Sequence, residues 1–232
     1  WDKVDLTEKL EHNYEALASA IKSDTRLVFS CNPNNPTGTV VSDSIVRAFC
    51  EEASKKTLVY ADEAYLEFLE PSQQKSMVGL VPNNPNIIVS KTFSKIYGLA
   101  GLRIGYIIGH PDTLKKIAQY GDTISPSQTA IAAAKASLGD EDFMKLTRDK
   151  NAVARKVLTD YLERKKIMHG KSLTNVVLFP APKDGKTILT QLEEKGYLIR
   201  IWDYQQKEWC RVSIGTQEEM KGFVKAFDDM LA

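Results

Sequence analysis

Residues 87–106 read IIVSKTFSKIYGLAGLRIGY. Three β-type residues lead into hydroxyl side chains at positions 90, 92 and 94, which surround Lys91 and Lys95. An apolar strand that ends in hydroxyls and lysines, with Arg103 following, suits an anionic ligand at the carboxyl edge of a sheet. A lysine deprived of solvent there can act as an amine nucleophile. The same letters also fit a strand, a Gly-rich loop and a second strand with ordinary surface lysines, so the neighbouring segments must decide.

Length and composition restrict the class of protein. The chain has 232 residues with 31 basic and 30 acidic side chains, so no net field attracts nucleic acid or an anionic membrane. No apolar run is long enough for a membrane span, and no signal-peptide pattern opens the chain. Neither the three cysteines nor the three histidines have metal-ligand spacing. We expect a cytoplasmic protein with no metal, no nucleic-acid partner and no membrane.

Apolar strands alternate with helices along the first half of the chain. Strands are predicted at 26–30, 57–61, 87–91 and 103–109, and helices within 5–22, 42–56 and 111–120. Strands without polar alternation that are separated by helices are typical of a largely parallel α/β sheet with helices on both faces. We therefore predict a large α/β domain over residues 1–140.

The second half of the chain has a different pattern of helices and strands. An Ala-rich helix at 127–138 and a long helix at 140–168 precede three short strands and two further helices. The strands are predicted at 175–179, 197–202 and 209–214, and the helices at 184–195 and 216–231. This pattern predicts a small C-terminal α/β domain over residues 141–232, which includes the long linking helix.

Three predicted strands end in polar segments. They are Asn35-Pro36-Thr37-Gly38, Asp62-Glu63-Ala64-Tyr65 and the Ser-Lys segment that starts at Ser90. Because the carboxyl ends of parallel strands share one edge of a sheet, we expect these loops to converge on one crevice. Pro36 is a candidate for a cis peptide bond, which is usually kept in tight functional turns.

These segments carry a family resemblance. With 32–38, 62–65, 90–105 and 211–215, the chain resembles the class I/II aminotransferases of the pyridoxal-phosphate fold type I superfamily, most closely the histidinol-phosphate aminotransferases. The resemblance covers essentially the whole chain, whereas roughly the first third of a family member has no counterpart in it. It implies the fold type I architecture with a large domain that is incomplete at its N-terminus, a pyridoxal phosphate cofactor and a homodimer.

The resemblance also implies roles for residues around the cofactor ring. Lys95 matches the lysine that forms the Schiff base with the cofactor aldehyde and then moves the substrate proton, and Lys91 is the competing lysine. Asp62 matches the carboxylate that keeps the pyridine nitrogen protonated. Asn35 and Tyr65 match the pair that hydrogen-bonds the cofactor's 3′-oxygen. Read without the resemblance, the same residues are a surface lysine, a loop aspartate, a turn asparagine and a core tyrosine.

Further residues match anion-binding positions of the family. Thr92, Ser94 and Arg103 fit a phosphate cup, in which hydroxyls give direction and a guanidinium gives charge. Arg211 matches the arginine that binds the substrate α-carboxylate in a bidentate contact. Arg200 is a weaker candidate for holding a distal substrate phosphate, and it fits a salt-bridged edge arginine equally well.

The implied function is a pyridoxal-phosphate-dependent transamination. The expected substrates are histidinol phosphate and the 2-oxoglutarate/glutamate pair, which would place the enzyme in histidine biosynthesis. Three alternatives stay open at this point: another class I/II aminotransferase of the aromatic or aspartate type, a lyase like threonine-phosphate decarboxylase, and an inactive fragment.

Overall fold

The computed structural model describes residues 2–121 and 125–231. The chain forms two compact units. Unit 1 contains the residues up to Pro33 together with Val40–Lys145, and unit 2 contains Asn34–Thr39 together with the residues from Leu146 onward. The loop Asn34–Thr39 therefore packs with unit 2, although it follows the first strand of unit 1. The division into domains at residue 140 stays a prediction.

Unit 1 is built on a four-stranded sheet. Its strands are β1 (Leu27–Cys31), β2 (Leu58–Asp62), β3 (Ile87–Thr92) and β4 (Gly105–Gly109), and they are arranged in chain order. The first three are parallel, as predicted, whereas β4 runs antiparallel to β3. The 93–104 connection contains only a short 3-10 turn at Ala100–Leu102 and no crossover helix. A parallel neighbour needs such a crossover, so β4 returns antiparallel.

Four α-helices lie wholly within the described residues of unit 1. They are α1 (Tyr14–Ala20), α2 (Asp43–Ala53), α3 (Pro111–Ala118) and α4 (Gln128–Leu138). The 5–22 pattern predicts a short helix or a turn followed by a helix, and the structure has the second arrangement. Leu10 has a left-handed φ of 61°, and the Asn13 side chain caps α1 by accepting from Ala16 N.

The core of unit 1 lies between the sheet and α2. Val59, Ile87 and Val89 of the strands are fully buried and belong to one cluster with Phe49 and Cys50 of the helix. Each fully buried apolar side chain of this size contributes roughly 1.5–3 kcal/mol to folding. This core fixes the ends of β2 and β3, from which the site residues project.

The segment between β2 and β3 is folded into short 3-10 helices. They span Leu66–Phe68, Pro71–Gln73 and Met77–Asn83. The first follows directly on the Asp62–Tyr65 segment, where Leu66 N donates to Glu63 O at 3.1 Å and Phe68 N donates to Tyr65 O at 3.1 Å. Tyr65 is thereby held in a defined turn beside the end of β2.

Unit 2 has its own antiparallel sheet. The long helix α5 (Glu141–Arg164) begins in unit 1 and continues into unit 2, where β5 (Val176–Pro180), α6 (Gly185–Glu193), β6 (Arg200–Tyr204), β7 (Lys207–Ser213) and α7 (Gln217–Leu231) follow. The strand order is β5-β7-β6. Leu158, Phe179 and Phe227, one each from α5, β5 and α7, are completely buried in a single core. The predicted elements of the second half are all present.

The loop Asn34–Thr39 is fixed within unit 2 at Gly38. The carbonyl oxygen of Gly38 accepts a hydrogen bond from Leu173 N at 2.9 Å. The backbone φ of Gly38 is +71°. A Cβ added to Gly38 would overlap the Ser172 side chain and lie 2.7 Å from the backbone oxygen of Val176. The Asn35–Pro36 peptide bond is cis, as predicted, and so is Asn32–Pro33.

Gly38→Ala is therefore expected to destabilise the protein by about 1–3 kcal/mol, the range for overpacking a tight site. The left-handed backbone adds strain that an L side chain rarely tolerates. The change is measured as a lower urea midpoint. Gly79→Ala is the matched control, because a Cβ on Gly79 meets nothing within 4 Å. Equal midpoints for the two variants would contradict the packing of this loop.

Candidate active site

Asp62 is oriented by two donors at the ends of β2 and β3. The parallel register pairs Asp62 with Ser90. The Ser90 hydroxyl donates to Asp62 Oδ1 at 3.2 Å, and Ala64 N donates to the same oxygen at 3.0 Å. Within residues 2–121 and 125–231, Oδ2 accepts no hydrogen bond. The half-buried carboxylate is therefore held on one side and available to a cationic ligand on the other.

Lys95 lies over the ring of Tyr65. The distance from Lys95 Nζ to the ring centroid is 5.1 Å. Tyr65 is 3% exposed and packs against Phe68 and Ile96. Its hydroxyl oxygen is buried and has no hydrogen-bond partner among the described residues. Because buried hydroxyls are almost always paired, this oxygen marks a place where a ligand would supply the partner.

The proposed phosphate cup lies in the turn after β3. Thr92 Oγ1 accepts a hydrogen bond from Ser94 N at 3.0 Å, which closes the turn. Phe93 N donates to Ile104 O at 3.2 Å and so holds this turn beside the segment that carries Arg103. The residues Thr92 and Ser94 thus lie next to the segment that contains Arg103. The Ser94 hydroxyl has no partner among the described residues.

Arg103 has an unusual backbone. Its φ is 51° and its ψ is 47°, which is the left-handed region that residues other than glycine seldom adopt. The side chain is exposed, and Nη1 donates to Ala100 O at 2.8 Å. The remaining guanidinium donors can therefore bind an anion, and the role of Arg103 in a phosphate cup stays a prediction.

The two lysines of the 87–106 segment, Lys91 and Lys95, have different environments. Lys91 Nζ lies 2.7 Å from Glu67 Oε1 and 3.1 Å from Glu63 Oε2. Burial by itself lowers the pKa of Lys91, but the carboxylates of Glu67 and Glu63 outweigh it and hold that pKa above its usual value. Lys95 makes no ion pair within the described part of the chain. Lys91 is thus paired with two carboxylates, and the assignment of Lys95 as the reactive amine stays a prediction.

Unit 2 pairs two arginines across neighbouring strands. Arg200 of β6 and Arg211 of β7 are directly opposite in the antiparallel register. Arg211 Nε donates to Asn35 Oδ1 at 3.0 Å, whereas Arg200 is exposed and has no partner among the described residues. Like charges opposite each other destabilise a sheet, so this pair is suited to a bound anion. Because Asn35 packs in unit 2, the predicted convergence of all three loops stays a prediction.

The sequence reasoning missed the acidic partners of Lys91. No role was predicted for Glu63 or Glu67, which stand two residues before and two residues after Tyr65. The described residues contain no group of three or more His, Cys, Asp or Glu side chains able to hold an ion. No described helix has both the length and the apolar composition to cross a membrane.

Comparison with known proteins gives the family. The family model of aminotransferase class I and II matches residues 1–227. A histidinol-phosphate aminotransferase of Ralstonia nicotianae is 37% identical over 225 residues, which cover 95% of this chain and 60% of the relative. A histidinol-phosphate aminotransferase of Lysinibacillus sphaericus is 31% identical over 221 residues, with the same two coverages. The chain thus spans about 60% of the length of these relatives.

Solved structures agree with the sequence relatives. A putative histidinol-phosphate aminotransferase from Erwinia carotovora atroseptica has a TM-score of 0.91 and 30% identity over 99% of this chain and 67% of its own. The histidinol-phosphate aminotransferase of Sinorhizobium meliloti, solved in complex with pyridoxal-5′-phosphate, has a TM-score of 0.87 and 29% identity over 99% of this chain and 64% of its own. The predicted fold class is thereby confirmed. The chain belongs to the aminotransferase class I and II family.

Proposed function

We propose that this chain is the greater part of a pyridoxal-phosphate-dependent aminotransferase that acts on histidinol phosphate, with 2-oxoglutarate and glutamate as the partner pair. Relatives at 31–37% identity carry that enzyme name, and a similar solved structure binds pyridoxal phosphate. We further propose that the enzyme is a cytoplasmic homodimer and serves histidine biosynthesis, as is typical of the family.

The buried Tyr65 hydroxyl carries the cofactor assignment. It has no hydrogen-bond partner among the described residues, and it lies in the same turn as Asp62 and beside Lys95. The ring of pyridoxal phosphate presents an oxygen acceptor, a basic nitrogen and an aldehyde, which match a hydroxyl donor, a carboxylate and an amine. The residues present therefore fit this cofactor, which supplies an electron sink when bound.

Each side chain has a defined task in this proposal. Lys95 would hold the cofactor at its aldehyde and would serve as the acid–base group for the substrate proton. Asp62 Oδ2 would accept a hydrogen bond from the protonated ring nitrogen, while Ser90 and Ala64 hold Oδ1. The Tyr65 hydroxyl would donate a hydrogen bond to the 3′-oxygen. Asn35, in unit 2, keeps its amide NH₂ as a donor, because its Oδ1 already accepts from Arg211.

The phosphate of the cofactor is assigned to the turn after β3. The hydroxyls of Thr92 and Ser94 would donate to its oxygens, and the guanidinium of Arg103 would balance its charge. Phosphate contacts of this kind orient a cofactor without taking part in proton transfer.

The cross-strand pair Arg200 and Arg211 of unit 2 can bind the anionic groups of both proposed substrates, glutamate and histidinol phosphate, one after the other. Glutamate presents an α-carboxylate, whereas histidinol phosphate has no carboxylate and presents a phosphate. A pair of guanidinium groups in direct cross-strand register can bind either anion by bidentate hydrogen bonds. We assign the α-carboxylate to Arg211 and the larger charge of the phosphate to Arg211 and Arg200 together.

Arg200→Ala is expected to lower kcat/KM for histidinol phosphate by about 10–100-fold, the equivalent of one hydrogen bond to a charged group, while glutamate is affected less. Arg211→Lys is expected to impair both substrates, because a lysine cannot form the bidentate contact. Single-turnover absorbance of each half-reaction measures the two rates separately. Arg164→Ala, at an exposed position on α5, is the control.

Two results would contradict this assignment. Equal losses on both substrates in Arg200→Ala would remove Arg200 from phosphate recognition. Release of carbon dioxide from an amino-acid phosphate, without any need for 2-oxoglutarate, would replace amino transfer by decarboxylation.

A further inference from the structure

A buried charge cluster joins the turn that carries Tyr65 to the strand that leads to Lys95. Glu63 and Glu67 flank Tyr65 in that turn, and Lys91 of β3 binds both carboxylates, at 3.1 Å and 2.7 Å. The exposed fractions of the three side chains are only 12% for Lys91, 5% for Glu63 and 15% for Glu67. Glu63 also accepts hydrogen bonds from Ser76 Oγ and Met77 N, both at 2.6 Å.

The cluster differs from the exposed ion pairs of the chain. Surface pairs such as Lys55–Glu52 are mostly solvated and contribute little. A buried cluster has lost its solvation, so it persists only where the charges and their hydrogen bonds fix a geometry. The other titratable groups near Lys91 are Tyr106, its register partner on β4, and Tyr97.

The cluster fixes the backbone on both sides of Tyr65. On one side, Glu63 N donates to Ser90 O at 3.0 Å and the Glu63 side chain binds Lys91. On the other side, Glu67 binds the same ammonium. The Tyr65 hydroxyl has no hydrogen bond of its own within the described chain, so only ring packing and this turn determine where it lies.

We propose that Lys91 is a positioning residue that acts through Glu63 and Glu67 to hold the Tyr65 hydroxyl in its donor position toward the cofactor oxygen. The inference rests on the proposed function, and it assigns to the first lysine of the Ser-Lys segment a role that requires no contact with cofactor or substrate. Lys91 holds the turn in place through its ion pairs, and Lys95, four residues later, is the amine that binds the cofactor in the proposed function.

The readout is the pH midpoint of the visible absorption of the cofactor-loaded protein. A hydrogen bond donated to the cofactor oxygen favours the deprotonated chromophore, which carries more negative charge on that oxygen. Tyr65→Phe is therefore expected to raise the midpoint by about 1–2 pH units, the equivalent of one hydrogen bond to a charged group. Lys91→Met is expected to raise it by most of the same amount, and Lys91→Arg is expected to restore the unaltered value.

A double-mutant cycle separates positioning from general damage. Adding Lys91→Met to Tyr65→Phe is expected to cause no further shift, because the hydroxyl through which Lys91 acts is already absent. The matched control is Lys55→Met, which removes an exposed lysine of the same unit and is expected to leave the midpoint unchanged. Should Lys91→Met fail to fold, Glu67→Gln carries the same test with a smaller shift of the same sign.

Two results would overturn the proposal: no shift of the midpoint in Lys91→Met and Glu67→Gln, or the same shift with and without the Tyr65 hydroxyl. An unaltered protein that takes up no borohydride-reducible cofactor contradicts the proposed function and, with it, this inference. A loaded protein whose midpoint does not respond to Lys91 contradicts this inference alone.

Discussion

Lys95→Ala is expected to remove the visible absorption of the protein mixed with pyridoxal phosphate and to slow amino transfer by at least about 10²–10⁴-fold, the range for loss of a general acid–base group. The reason is that the variant lacks both the amine that binds the aldehyde and the base that moves the substrate proton. Single-turnover conversion of the cofactor by glutamate measures the rate. The binding of the cofactor phosphate by Thr92, Ser94 and Arg103 is expected to persist.

Chemical rescue makes this prediction specific. A small external amine such as methylamine can occupy the space left in Lys95→Ala and is expected to restore part of the rate. The same amine is expected to do nothing for Lys91→Met, where the missing group is an ion-pair partner and not an amine base. A Lys95→Ala protein that transfers amino groups at the unaltered rate would contradict the assignment.

Lys91→Met is expected to destabilise the protein by about 3–5 kcal/mol at neutral pH, the range for removing one partner of a buried ion pair. The cause is that the carboxylates of Glu63 and Glu67 stay buried without their cation. Urea unfolding followed by circular dichroism measures the free energy of unfolding. Lys91→Arg is expected to retain most of the stability, and Lys55→Met is expected to lose less than about 1 kcal/mol, since its pair is exposed.

The stability difference also has a defined pH dependence. The folded-state pKa of Lys91 lies above its usual value of 10.5. Its contribution is therefore fully present below pH 10.5 and is lost as the pH rises through the higher folded-state pKa. Burial also raises the pKa values of Tyr97 and Tyr106, and the charge of Lys91 lowers both, so these tyrosines also contribute to the difference at alkaline pH. A gap between the two proteins that stays constant across this alkaline range would contradict the cluster's role.

The strand ends could be predicted from the sequence because their chemistry is local. Asp62 and Ser90 each follow a short apolar run, and parallel pairing brings them into hydrogen-bond distance. The direction of β4 was harder to predict, since the apolar pattern of a strand does not depend on its orientation. Only the short 93–104 connection indicates the antiparallel return.

The environment of the two lysines could not be predicted in the same way. Lys91 and Lys95 have the same chemistry, and family resemblance alone favoured Lys95 in the sequence. The distinction comes from Glu63 and Glu67, whose sequence separation from Lys91 gives no sign of contact before the sheet forms. The pairing of Arg200 with Arg211 likewise depends on strand register, which is set by tertiary packing.

The assignment of Lys95 as the cofactor-binding lysine is tested most directly by labelling. The unaltered protein is treated with pyridoxal phosphate and reduced with borohydride, and the labelled peptide is mapped by mass spectrometry. Borohydride converts the link between the cofactor carbon and a lysine nitrogen into a stable secondary amine. We expect one labelled residue, Lys95, at stoichiometric yield. A label on Lys91, or no label at all, would contradict this assignment.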